Sequence, residues 1–251
     1  MMTRITNKGR FFYLPLLLVM LFGLQQCTTD APKNIEKYYF PVEQLRGGKV
    51  YEYRGENNDS LPTYYWYYRT LSPDPMQSTQ TGSFLTGTFY DAQYDVKQLI
   101  KEEKVSNGML LDQAFIYPKE GVNVPFQITG KDVFPFEVKD TSAIFLYKIS
   151  YKEPSDSNTT TTLIRNRRYL GETRSVFKGQ KIDAIEFEVR ERIENDGTGR
   201  WQYEYKGREV YGKGIGLISI KKEIAGRTVA YYLADIYDMT VLEQKASNPL
   251  K

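Results

Sequence analysis

Ala184-Ile185-Glu186-Phe187-Glu188-Val189-Arg190-Glu191-Arg192-Ile193 is the stretch that decides the fold. Successive side chains of a strand point to opposite faces. Ile185, Phe187 and Val189 therefore share one face, while Glu186, Glu188, Arg190 and Arg192 share the other. This is a strand with an apolar face on a core and a charged face of cross-strand ion pairs in solvent. Asp196-Gly197 follows as a turn signal, and Trp201–Tyr205 reads as the returning strand.

The same pattern continues in both directions. Towards the C-terminus, strands are expected at Gly216–Lys221 and Val229–Ile236, with breaks at Lys206-Gly207 and Ala225-Gly226. Gly212-Lys213-Gly214-Ile215-Gly216 has the wrong spacing for a dinucleotide loop and reads as a glycine-kinked strand or bulge. Towards the N-terminus come Arg174–Phe177, Leu163–Tyr169, a polar loop over Lys152–Thr162, and Ala143–Tyr151. Residues 118–142 carry Pro118, Pro125 and Pro135, which predicts an extended connector or short edge strands.

Asn107-Gly108 predicts a hairpin between Asp95–Val105 and Met109–Tyr117. Val96, Leu99 and Ile100 would also fit a helical face, but the segment runs straight into the turn and is read as a strand. Phe84–Tyr90, Tyr64–Tyr68 and Val50–Arg54 complete the set, preceded by one helical turn between Pro41 and Gly47. The fold class is mainly β: an antiparallel curved sheet or half-barrel meander, with at most one or two short helices.

Ahead of this domain lies an apolar run, Phe11–Leu24, shorter than the roughly 20 residues a bilayer-spanning helix needs. Arg4, Lys8 and Arg10 precede it, and Cys27, the chain's one cysteine, follows. A positive n-region, a short apolar core and a cysteine predict a lipoprotein signal over 1–26, with Cys27 acylated. Gln25 and Gln26 depart from the small residues that usually precede such a cysteine. The expected organisation is a signal at 1–26, an acylated tether at 27–37, one β domain at 38–243 and a flexible tail at 244–251. The three basic residues of the signal account for the formal charge of +3, so the exported chain is neutral. Neutrality argues against nucleic acid as a partner. The expected place is the bacterial cell envelope, most simply the outer membrane.

The chain contains no histidine. That removes histidine-based nucleophile systems and the common zinc sites. No catalytic residue, metal or cofactor is assigned from the sequence. Glu186 and Glu188 lie on one face of one strand, whereas a glycosidase pair needs opposed walls of a cleft. Lys101-Glu102-Glu103-Lys104 and the group Arg165, Arg167, Arg168 read as solvated charge runs. Asp59-Ser60-Leu61 resembles the short O-glycosylation motif of Bacteroidetes exported proteins, which makes Ser60 a candidate acceptor.

Phe40-Pro41 with Gly47-Gly48 and Tyr51-Glu52-Tyr53, and later Tyr211-Gly-Lys-Gly-Ile-Gly-Leu-Ile218, resemble stretches of a family of Bacteroidetes-type exported lipoproteins of unknown function. The resemblance implies a strongly curved antiparallel sheet, similar to the half-barrel of periplasmic lipoprotein carriers. It implies no catalytic residues. Tyr64, Trp66 and Tyr68 share a strand face and are the candidate ligand-facing aromatics, though such a face also serves simply to pack. The expected function is non-enzymatic: anchored to the membrane by lipid, the protein binds an apolar or extended ligand, a lipid or glycan. A structural role beside an envelope protein is the alternative, and a carboxylate-pair carbohydrate-active enzyme is a more distant one.

Overall fold

The structure, a computed structural model, describes residues 31–57, 60–71, 83–119, 121–139, 144–197 and 199–248. Cys27, the apolar run before it and Asp59 lie outside the described residues. The described residues open with β1 (Lys33–Asn34) and two 3-10 turns, Glu36–Tyr38 and Val42–Gln44. Then come β2 (Lys49–Gly55), β3 (Tyr64–Leu71), β4 (Phe84–Tyr90), β5 (Val96–Val105) and β6 (Gly108–Lys119). β7 (Val122–Pro125), β8 (Gln127–Pro135), β9 (Glu137–Val138) and β10 (Ile144–Glu153) follow. The long strands are β11 (Asp156–Phe177), β12 (Gln180–Asp196) and β13 (Arg200–Gly212). β14 (Gly216–Ile224), β15 (Arg227–Tyr237) and helix α1 (Met239–Ser247) complete the chain.

Every pairing is antiparallel, and the sheet runs β5-β4-β3-β2-β15-β14-β13-β12-β11-β10-β8-β6, with β7 beside β6. β5 also pairs with β6, from Gln98/Ile116 to Val105/Gly108. The curved sheet expected from the sequence therefore closes into a barrel of 12 strands. Closure satisfies the edges that a half-barrel would leave open.

One end of the barrel is filled by residues 35–45. Ile35, Tyr38, Tyr39, Phe40, Val42 and Leu45 are buried there against the wall. The tether expected to run to residue 37 is thus folded from Lys33 onward. Lys33 and Asn34 pair with Val138 and Glu137, and the Ile35 N–H donates to the Phe136 carbonyl at 2.8 Å. Ile35 is the apolar anchor inside an otherwise polar run, and it is fully buried.

Of the tail expected at 244–251, residues 244–247 are instead the second half of α1, and residues 249–251 lie outside the described residues. The helix lies on the outside of the barrel, where Leu242 packs with Val50 and Tyr65. Lys245 bonds the buried carboxylate of Glu52, which also accepts from Tyr237 at 2.8 Å and Arg54 at 2.7 Å. That anchored charge is why the segment is ordered.

Several other differences come from strands longer than their apolar runs. Lys152–Thr162 contains only a short turn at Pro154-Ser155, and its threonines belong to β11. The two strands expected at 163–169 and 174–177 are one, interrupted by a register shift between Tyr169 and Gly171. Residues 127–135 are a full wall strand, because Pro135 sits at the strand's last position. Lys206-Gly207 is mid-strand in β13, where a Cβ on Gly207 would stand 2.4 Å from the Lys221 carbonyl oxygen. The 107–108 hairpin forms with Ser106-Asn107 as its loop, since Val105 pairs with Gly108. The 212–216 segment is a hairpin turn, and a side chain on Gly216 (φ 101°) would strike the Phe40 ring at 2.5 Å.

Candidate functional site

The register of β11, β12 and β13 fixes what faces the lumen. Tyr169, Phe187 and Glu209 are cross-strand neighbours, as are Arg165, Glu191 and Tyr205. Phe187 and Glu191 are buried, so this face is the interior. Ile185, Phe187 and Val189 point inward as the alternation requires. Glu186 and Glu188 point outward into cross-strand ion pairs with Arg208 at 2.9 Å and Arg168 at 3.0 Å.

The interior is layered. At the filled end, aromatics pack on one another: Phe40 lies 4.1 Å from Tyr68 and 5.3 Å from Tyr51, ring centre to ring centre. Tyr64, Trp66 and Tyr68 do share the inner face. Tyr68 is buried under Phe40, and Trp66 stacks on it at 5.6 Å. Tyr64 lies between Tyr53 at 5.0 Å and Tyr231 at 4.8 Å. The three form part of the aromatic packing.

Above that packing sits a layer of charge. Arg165 and Lys222 (2.7 Å) both bond Glu191, and Arg167 bonds Glu209 at 2.8 Å and the Val133 carbonyl at 3.0 Å. Tyr211 donates to Glu209 at 3.1 Å. Burial alone would raise the Glu191 carboxyl, but Arg165 and Lys222 outweigh it and hold it down at about 2. Glu209 is also lowered, by Arg167 and Arg165 against its burial. Arg165, Arg167 and Glu102 thus depart from the solvated faces expected of them. Each occupies an inward position of the alternation, and only Arg168 of its group faces out.

Beyond the charge layer the inner face of β13 emerges into solvent. Leu163, Ile193 and Tyr203 are cross-strand neighbours, and one step further out stand Thr161, Asn195 and Trp201. Trp201 is 46 % exposed and Tyr203 64 %, with ring centres 5.1 Å apart. Tyr205 continues the row inward to Lys222, whose ammonium lies 5.1 Å from the Tyr205 ring centre. The result is an aromatic ledge at the open mouth of a closed barrel.

Two solved structures share this architecture. One, from Parabacteroides distasonis, is described as a lipoprotein; it is 12 % identical, with a TM-score of 0.52 over 79 % of this chain and 97 % of its own. The other is an exported protein with YmcC-like fold from Bacteroides fragilis, 10 % identical, with a TM-score of 0.53 over 80 % of this chain and 99 % of its own. No family model matches the chain, and no curated protein matches it. Shared at this identity is the barrel and not a set of side chains.

The ledge was the part of the site least visible in the sequence. Trp201, Tyr203 and Tyr205 alternate on one strand, and that alternation was the available signal. What was missing was that β13 outruns β14, which pairs with it only from Lys206 to Gly212 and leaves the outer two rings without a strand on that side. Ser60, the candidate glycan acceptor, is exposed in the segment between β2 and β3. Among the described residues, no group of three or more metal-binding side chains is found.

Proposed function

We propose that this is a non-enzymatic cell-envelope lipoprotein, held by acyl chains on Cys27, that binds an apolar or extended ligand at the mouth of its barrel. The observation that carries the reading is the exposure of Trp201 and Tyr203 on the face that elsewhere forms the interior. Flat exposed rings offer large contact area at small entropic cost. The site moves from the 64–68 strand, which is packed, to the 201–205 strand. Export and anchoring draw support from the short apolar run before Cys27 and from the descriptions of the two proteins that share the fold. Placement in the outer membrane belongs to the same proposal, as does a glycan on Ser60.

Native mass spectrometry of the full acylated protein, extracted in detergent, tests the binding reading. A co-purified lipid or glycan lost in Trp201→Ala/Tyr203→Ala supports it. A stoichiometric protein partner in its place would shift the function to assembly, with the exposed Ile144 and Leu146 on β10 as the first surface to mutate. Labelled palmitate entering the wild type but not Cys27→Ser tests the anchor independently.

A further inference from the structure

Glu52, Glu102, Glu191 and Glu209 are the buried glutamates among the described residues. Three of them touch a cation. Glu52 holds Lys245 and Arg54, Glu191 holds Arg165 and Lys222, and Glu209 holds Arg167. Glu102 is different. It is 4 % exposed on the inner face of β5, and its hydrogen bond among the described residues comes from the hydroxyl of Tyr39. Tyr39 belongs to the N-terminal segment that fills the barrel end.

The ionisable groups around this contact are few. Tyr39 faces Glu102 from the N-terminal segment, Tyr68 from β3, Tyr147 from β10 and Arg167 from β11, with Tyr211 of β13 close to Tyr39 and Tyr68. Arg167 is already engaged by Glu209. Lys104, two residues further along β5, turns instead to Glu36 at 3.0 Å and Glu43 at 3.2 Å. No cation therefore meets the Glu102 carboxyl directly among the described residues.

We propose that Glu102 and Tyr39 form a proton-operated latch on the N-terminal plug, closed while Glu102 is neutral and loosened when it ionises. An ionised carboxylate gains hydration when the plug opens, and a neutral one gains little. Burial pushes the carboxyl up to about 7, against the opposing Tyr39 hydrogen bond and the Arg167 charge. A folded value above the open-state value makes the closed form bind the proton more tightly. Closure is then fully supported at low pH and weakens as pH rises through about 7.

Hydrogen exchange of the full chain at pH 6 and pH 8.5, corrected for intrinsic rates, tests this. The reporting amides are Ile35, Tyr38, Tyr39, Val42 and Gln44, all hydrogen-bonded in the closed plug. Their protection should fall by about tenfold between the two pH values, from linkage between carboxyl values of about 4.5 and about 7. Amides of Ile185–Val189 on β12 serve as the control and should not follow. Glu102→Gln should abolish the fall, while Tyr39→Phe, which retains the carboxyl but removes its donor, should move the transition to higher pH. Constant protection in the wild type, or an equal fall in Glu102→Gln, would overturn the latch.

Discussion

Individual side chains in this protein answer to two opposite pH logics. Glu191 is held low by Arg165 and Lys222, so its contribution is present above the ordinary carboxyl range and is lost as pH falls towards about 2. The shift from the ordinary carboxyl value corresponds to about 3 kcal/mol. Urea titrations between pH 6 and pH 2.5 should show this loss. Glu191→Gln should be less stable at pH 6, by roughly 3–5 kcal/mol, because it leaves buried cations unpaired. An unchanged midpoint in that variant would mean that water already reaches the layer. Gly216 makes a steric counterpart. It combines a φ of 101° with the Phe40 ring at 2.5 Å from any added Cβ, whereas Gly214 (φ 73°) opens into free space. Gly216→Ala should cost about 2 kcal/mol or more, and Gly214→Ala about 1 kcal/mol. Equal costs would show that backbone strain alone decides.

Elements here are stapled at their ends by residues distant in sequence. α1 is nine residues long, too short to be stable alone. Leu242 beneath it and Lys245 on Glu52 tie it to the wall. Leu242→Ala should destabilise the protein by roughly 2–4 kcal/mol in urea unfolding. A loss below 1 kcal/mol would mean that the helix is an ornament. These staples also mark what the sequence could tell. The apolar face of β12 was legible because Ile185, Phe187 and Val189 alternate without interruption, and the hairpins at Asn107-Gly108, Asp196-Gly197 and Ala225-Gly226 were legible from their turn residues. The first part of the plug and α1 were not, because each rests on one buried residue in a polar stretch: Ile35 and Leu242. The charge layer was hidden for a different reason. Arg165, Arg167 and Glu191 hold inward positions of good alternating strands, and their burial is tolerated only because each meets an opposite charge on another strand. The aromatic strand at 64–68 was found, and its role depended on Phe40 covering Tyr68, a contact between segments far apart in the chain.

At the scale of the whole molecule, the barrel wall is uneven. β11 and β12 pair from Thr160/Asp196 to Phe177/Gln180 with one register shift, between Tyr169 and Gly171, and β12 and β13 pair without a shift from Ala184/Gly212 to Asp196/Arg200. β6 and β8, by contrast, pair only at Gly108/Pro135, Met109/Phe134 and Leu110/Asp132, and their register breaks between Met109 and Leu110. Past that break the Phe126 N–H donates to the Ala114 carbonyl at 2.9 Å, and the Phe126 ring stands edge-on to Tyr151 at 5.2 Å. Local stability follows the density of buried contacts and ladder bonds, and sparse regions open first. The β6–β8 line should therefore be the seam of the barrel. Hydrogen exchange at pH 6, where the Glu102 latch is closed, should show Gln127–Val133 exchanging through a local opening that is nearly independent of added urea. Ala184–Val189 should exchange only through global unfolding, with a steep dependence on urea. Phe126→Ala should speed the first group without touching the second. If both groups exchange together, the ring unfolds as one cooperative unit. The lumen would then be reached only through the mouth beside Trp201 and the plug beside Tyr39.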